Sequence, residues 1–184
     1  MTTPLFFLAA LLVSPQDPAP GSGPPEVPFE VNVSRHHRLV LLVPEAWQPS
    51  ANTLAEGVVE IRINPKGSQD FTLLLTALEP ESGSAERLDE EGIKRLVTRL
   101  GTAMLHGAVE TELELRRVEG TAGVGHFYLL TDKQEHLPTG EYRYICQGIM
   151  AVGALRLSVT LLTNEPGEEL LRAFFRLLAG ARQE

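Results

Sequence analysis

Residues 141–179 carry the pattern that most restricts what this chain can fold into. Leu155, Leu157, Val159 and Leu161 alternate with Arg156, Ser158 and Thr160. Period-two alternation sends the first set to one face of a sheet and the second to the other. Before it, Glu141–Met150 reads as a partner strand, with Tyr142, Tyr144 and Cys146 on alternate positions. Gly153 lies between the two strands and supplies the backbone freedom of a tight hairpin link. A helix is expected from about Glu165 to Ala179, with Asn164 as its N-cap and Glu165, Glu168 and Glu169 in its first turn. Leu170, Leu171, Phe174, Leu177 and Leu178 recur at helical spacing, so the helix should lay an apolar face on the sheet. Gly180 is the expected stop.

The remaining segments extend this unit. Phe29–Val33 and Arg38–Val43 read as strands, the second closed by Pro44, which has no amide hydrogen to donate. Val58–Asn64 alternates Val59, Ile61 and Ile63 against Glu60, Arg62 and Asn64. Phe71–Leu78 is apolar at both parities, the pattern of a central strand covered on two sides. A helix is expected from Glu86, with Ile93, Leu96, Val97, Leu100 and Met104 as its buried stripe and Gly101 at a close contact with the sheet. Thr111–Val118 and His126–Thr131 read as strands flanking a glycine-rich hairpin loop, Gly120–Gly125. Strands linked mostly as hairpins, with two helices among them, predict an α+β domain: a largely antiparallel sheet with helices packed on both faces.

The N-terminus is different in character. Leu5–Val13 is an unbroken apolar run. It is far below the roughly 20 residues of a membrane span but has the length of a signal-peptide core. Residues 1–14 are therefore expected to be an export signal, residues 15–28 a Pro/Gly-rich linker, and residues 29–184 one domain. That organisation places the protein outside the cytoplasm, in the periplasm or secreted, with no membrane span once the signal is removed. Sixteen Lys and Arg against 24 Asp and Glu leave a net charge of −8, which argues against a nucleic-acid partner. The single cysteine, Cys146, excludes an intrachain disulfide.

The order of elements resembles that of the PsbP-like proteins, which share a fold with the Ran-binding Mog protein. The resemblance is carried by Leu41-Leu42-Val43-Pro44-Glu45-Ala46-Trp47, then Ile61, the strand Phe71–Leu78 and the helix from Glu86. Four antiparallel strands and a closing helix with Phe174 and Phe175 complete it. It implies a three-layer α/β/α sandwich and a binding or accessory role rather than catalysis.

The residues that could carry chemistry are few. His36 and His37 are adjacent, and neighbours in a strand point to opposite faces, so they do not form one metal site. His106, His126 and His136 lack the spacing of a zinc set. Gly120–Gly125 precedes a strand, whereas phosphate-binding glycine loops open a helix. Cys146 lies within a strand and reads as a buried, inert thiol, with a cysteine hydrolase as the remote alternative. Asp132, Glu135 and His136 share a polar loop, which makes a divalent cation or small ligand the second functional reading. Trp47 either fills the core or lines a groove between sheet and loops. No residue points to a cofactor. The expected function is a non-catalytic accessory or protein-interaction protein of the cell envelope.

Overall fold

The computed structural model describes residues 24–80 and 89–184. The expected signal segment and the first nine residues of the expected linker lie outside them. So does Glu86, the expected start of the first helix. The described chain begins earlier in structure than expected, because β1 (Glu26–Asn32) takes in the last three linker residues. It pairs antiparallel with β2 (Arg38–Pro44), Pro28 opposite Leu42.

The strands form two sheets where one was expected. After β2 come β3 (Trp47–Ala55), β4 (Val58–Pro65) and β5 (Phe71–Leu78), a meander. Helix α1 (Glu90–Met104) and a single 3-10 turn (Leu105–Gly107) follow. A second meander then runs through β6 (Arg116–Gly120), β7 (Gly123–Thr131), β8 (Tyr144–Val152) and β9 (Leu155–Thr163). Helix α2 (Glu168–Ala179) and the short β10 (Arg182–Gln183) close the described chain. The large sheet has the order β3-β4-β5-β9-β8-β7-β6, and the small one β1-β2-β10. Every pairing is antiparallel. The second sheet exists because β2 is apolar at both parities: Leu39, Val40, Leu41 and Val43 are all fully buried. One parity packs into the main core with Val31, Ile61 and Leu75, so β2 stacks on the large sheet instead of joining its edge.

The hairpin that organises the sequence is present, but its first strand runs Tyr144–Val152 where Glu141–Met150 was expected. Val152 faces Leu155 across the turn at Gly153, whose φ of 59° lies in the left-handed region. Leu155, Leu157, Val159 and Leu161 share the main core with Phe174, Leu177 and Leu178 of α2. The helix starts three residues later than expected. Asn164 does not cap it: its side-chain oxygen accepts the Arg143 backbone N–H at 2.9 Å, and the cap position falls to Gly167 after Pro166. In α1, Asp89 caps by accepting the Gly92 N–H at 2.8 Å. Ile93 and Val97 are buried against Tyr128 and Leu130, but Leu100 and Met104, expected in the stripe, are 42% and 36% exposed. Gly101 does mark a close approach, since a Cβ there would meet Leu113 and the Tyr128 ring within 3 Å.

Phe71–Leu78 corrects another expectation. Its odd-numbered residues are buried, but Thr72, Leu74 and Thr76 are only half-buried and Leu78 is exposed. Helix α1 packs on β7 and β8 and leaves this second face of β5 partly open. None of the helices among the described residues is long and apolar enough to cross a membrane.

Candidate functional site

The expected strand Thr111–Val118 forms only in its last part, and this creates a cleft at the sheet edge. Ala108 bridges to Asp132 at one end, and Arg116 pairs with Phe127 at the other. The chain therefore uses nine residues, 108–116, to run beside the six residues 127–132 of the sheet edge. The surplus bows outward. Leu113 and Leu115 turn to the smaller core beside α1, and the edge of β7 around Leu129 is left without a strand neighbour on that side. A cleft of about 560 Å³ fills the space, floored by Phe127, Leu129, Cys146, Leu171 and Phe175. Glu110, Glu112 and Glu114 stand on its rim, with the Arg116 guanidinium stacked 4.2 Å from the centre of the Phe175 ring.

The rim is fixed at one point. Glu110 accepts the Thr131 backbone N–H at 2.8 Å and its hydroxyl at 2.7 Å. Burial alone would raise the Glu110 pKa, but these two bonds hold it below the usual carboxylate value. The Cys146 thiol on the floor is in the opposite state. Burial pushes its pKa up to about 12, against a smaller opposing pull from Arg116, so it stays protonated at neutral pH. Tyr128 is likewise raised to about 12, mainly by burial, and its hydroxyl is engaged by Gln147 and by Met104.

Trp47 is the first residue of β3, a strand the sequence analysis did not anticipate. It is 9% exposed and meets Phe71 edge-to-face with ring centres 4.8 Å apart. Its remaining edge lines a second cleft of about 700 Å³ with Pro44, Phe71, Leu170 and Ala173. Trp47 is thus mostly buried, at the margin of that cleft.

The other candidates are dispersed. His37 lies between Glu79, 3.2 Å from its Nε2, and Gln183, 2.7 Å from its Nδ1, while His36 is exposed. His106 contacts the Ala103 carbonyl, and His136 is exposed. His126 is buried, with Nε2 3.4 Å from Glu90. Glu90 in turn is held below the usual carboxylate value, chiefly by the bond from Arg117. Among the described residues no three His, Cys, Asp or Glu side chains are placed to hold a metal ion. In the acidic loop Asp132 accepts from Gln134, and the Arg143 guanidinium donates to the carbonyls of Asp132, Gln134 and Glu135. These bonds place the guanidinium of Arg143 among the main-chain carbonyls of the loop, while the Asp132 carboxylate faces Gln134. The glycine stretch is a two-residue turn, with Gly120 and Gly123 paired across it inside β6 and β7.

Sequence reasoning missed Leu129 and Phe175. Both sit in elements correctly anticipated, and both looked like ordinary strand and helix positions. The missing signal was the surplus length between Ala108 and Arg116.

No protein-family model matches the chain, and no curated protein matches it. Among solved structures it is similar to a crystal structure from Bacteroides thetaiotaomicron VPI-5482, with a TM-score of 0.36 and 8% identity over 79% of this chain and 45% of that one. It is also similar to the solution structure of cyanobacterial PsbP (CyanoP) from Synechocystis sp. PCC 6803. That match has a TM-score of 0.49 and 14% identity, and covers 92% of this chain and 99% of that one. The second bears the name of the group that the order of elements in the sequence resembles.

Proposed function

We propose that this chain is a non-catalytic accessory protein of the cell envelope that acts by binding another polypeptide after export. The observation that carries the reading is the cleft beside β7. Its floor is aromatic and aliphatic, its thiol is held neutral by burial, and it lies along an open sheet edge. Such a surface recognises a chain by shape and backbone pairing. Export rests on the apolar run Leu5–Val13.

The test is made in cells producing the full chain with its own N-terminus. Fractionation should find a shortened protein in the envelope or medium, and chemical cross-linking there should give a discrete adduct with one polypeptide. Retention of the whole chain in the cytoplasm would overturn the export part. Turnover of an ester, peptide or phosphate substrate by the purified protein, abolished in Cys146→Ala, would overturn the non-catalytic part.

A further inference from the structure

We infer that the gap in the β7 edge receives an extended peptide segment that alternates apolar residues with Lys or Arg and pairs its backbone with Leu129. The inference rests on the polypeptide-binding reading and gives it a place and a partner chemistry.

The backbone direction comes from the neighbours. Thr131 turns its N–H and C=O away from β8, to Glu110 and to the Val109 N–H at 2.9 Å. In an antiparallel strand the residue two positions away turns the same way. Leu129 therefore presents its N–H and C=O to the gap, while its strand partner Cys146 lies on the other side. Its side chain is 37% exposed on the same face as Phe127. Three other edge strands carry protection. Strand β1 carries Pro28, β3 carries Pro49, and β6 carries Arg116, Arg117 and Glu119. Prolines and charges at edges are the usual protection against unwanted strand pairing. Leu129 lies where that protection lapses and an apolar floor begins.

Charge selects the partner. The rim bears Glu110, Glu112 and Glu114. Glu110 is committed to Thr131, whereas Glu112 and Glu114 are exposed and available. Arg116 lies folded on Phe175, and the net rim charge stays negative. An acidic segment would meet repulsion there, and a wholly apolar one would leave the rim carboxylates without partners. An apolar side chain over Phe127 and Phe175, flanked by basic ones reaching Glu112 and Glu114, satisfies both parts of the cleft.

The test uses three synthetic peptides: an alternating Lys/Val/Phe hexapeptide, its counterpart with Glu for Lys, and the Lys peptide N-methylated at the central residue. They are titrated into the ¹⁵N-labelled full chain. The basic peptide should shift the Leu129 amide, and the acidic and N-methylated peptides should not. In the double variant Glu112→Lys/Glu114→Lys binding of the basic peptide should weaken by about tenfold or more, as two reversed rim charges imply. Equal binding of the acidic peptide, an unmoved Leu129 amide, or unchanged affinity in the double variant would each overturn the inference. A photo-cross-linking residue is then placed in cells at position 129, and separately at position 62 on the open face of β4. A polypeptide captured at 62 and never at 129 overturns the cleft assignment and leaves the accessory reading standing. Capture at neither position overturns both.

Discussion

Replacing Phe174 by alanine should remove a large part of the stability of the fold. Phe174 is fully buried on α2, between the helix and the main core. Its ring meets Phe127 at 6.0 Å with an interplanar angle of 87°, and Phe175 at 4.8 Å. Truncating a buried Phe to Ala costs about 3–5 kcal/mol. The upper half of that range applies, because the cavity would be walled by the sheet and by Leu177 and Leu178, which are themselves buried. Against a total of roughly 5–15 kcal/mol for a domain, this leaves a marginal fold. With a urea dependence of about 2 kcal/mol per molar, a loss of about 4 kcal/mol lowers the midpoint by about 2 M. The control is Arg172→Ala. Arg172 bridges Glu168 at 2.6 Å one turn away, but the two side chains are 64% and 87% exposed. Such a pair contributes about 0.3–0.5 kcal/mol, a midpoint change of about 0.2 M. Parallel urea melts followed by circular dichroism measure both. A Phe174→Ala midpoint within about 0.5 M of wild type, at unchanged slope, would show that the apolar face of α2 does not hold the core, and would refute the packing argument.

Gly148→Ala should destabilise the protein by more than about 2 kcal/mol, because the new Cβ would fall on the His126 carbonyl and the Phe127 ring. Gly107→Ala, with nothing within 4 Å, is its neutral control in the same thermal melts. Stability should fall as pH rises above 9. The unfolded thiol and phenol ionise near 9.0 and 10.0, while folded Cys146 and Tyr128 keep their protons up to about 12, so alkali favours the unfolded chain. Urea melts at pH 8, 9 and 10 would show the decline, and Cys146→Ala should make it shallower; an identical decline in the variant would sink the assignment to the thiol. Arg143→Ala should loosen residues 132–140, since three carbonyls lose their common donor. Limited proteolysis should then cut there first, and Arg143→Lys should not restore resistance, because one ammonium cannot reproduce the guanidinium fork.

The elements that were legible in the sequence are those whose two faces differ. The second strand of the β8–β9 hairpin could be read with its faces because Leu155, Leu157, Val159 and Leu161 are buried while their alternates are not. Strand β3 was not legible: from Gln48 onward none of its residues is buried, so nothing in Gln48-Pro-Ser-Ala-Asn-Thr alternates. The start of β7 was hidden for another reason. Gly123 and Gly125 look like loop residues, yet they are strand residues at positions with no room for a Cβ beside β8. Phe71–Leu78 misled in the opposite sense, since Leu74 and Leu78 matched the pattern of a strand covered twice while their side of the sheet is partly open. The cleft escaped because it arises from a mismatch in chain length between two paired positions, Ala108–Asp132 and Arg116–Phe127. Hydrophobic periodicity does not encode such a distance.

The division of the apolar interior into two unequal clusters has a consequence for how the molecule comes apart. The smaller cluster has only Ile93, Val97, Tyr128 and Leu130 at its centre, and the sheet separates it from the larger one. Helix α1 can therefore detach while uncovering less apolar surface than the main core holds, and β5, β9 and β8 keep their ladders and their packing on α2. Amide protons of α1 should exchange through this partial opening, well before those of β9, which wait for global unfolding. A chain caught in that state would expose Tyr128 and Leu130 on an otherwise intact sheet, so the first point of attack for proteases and for aggregation should be the helix that guards the minor core.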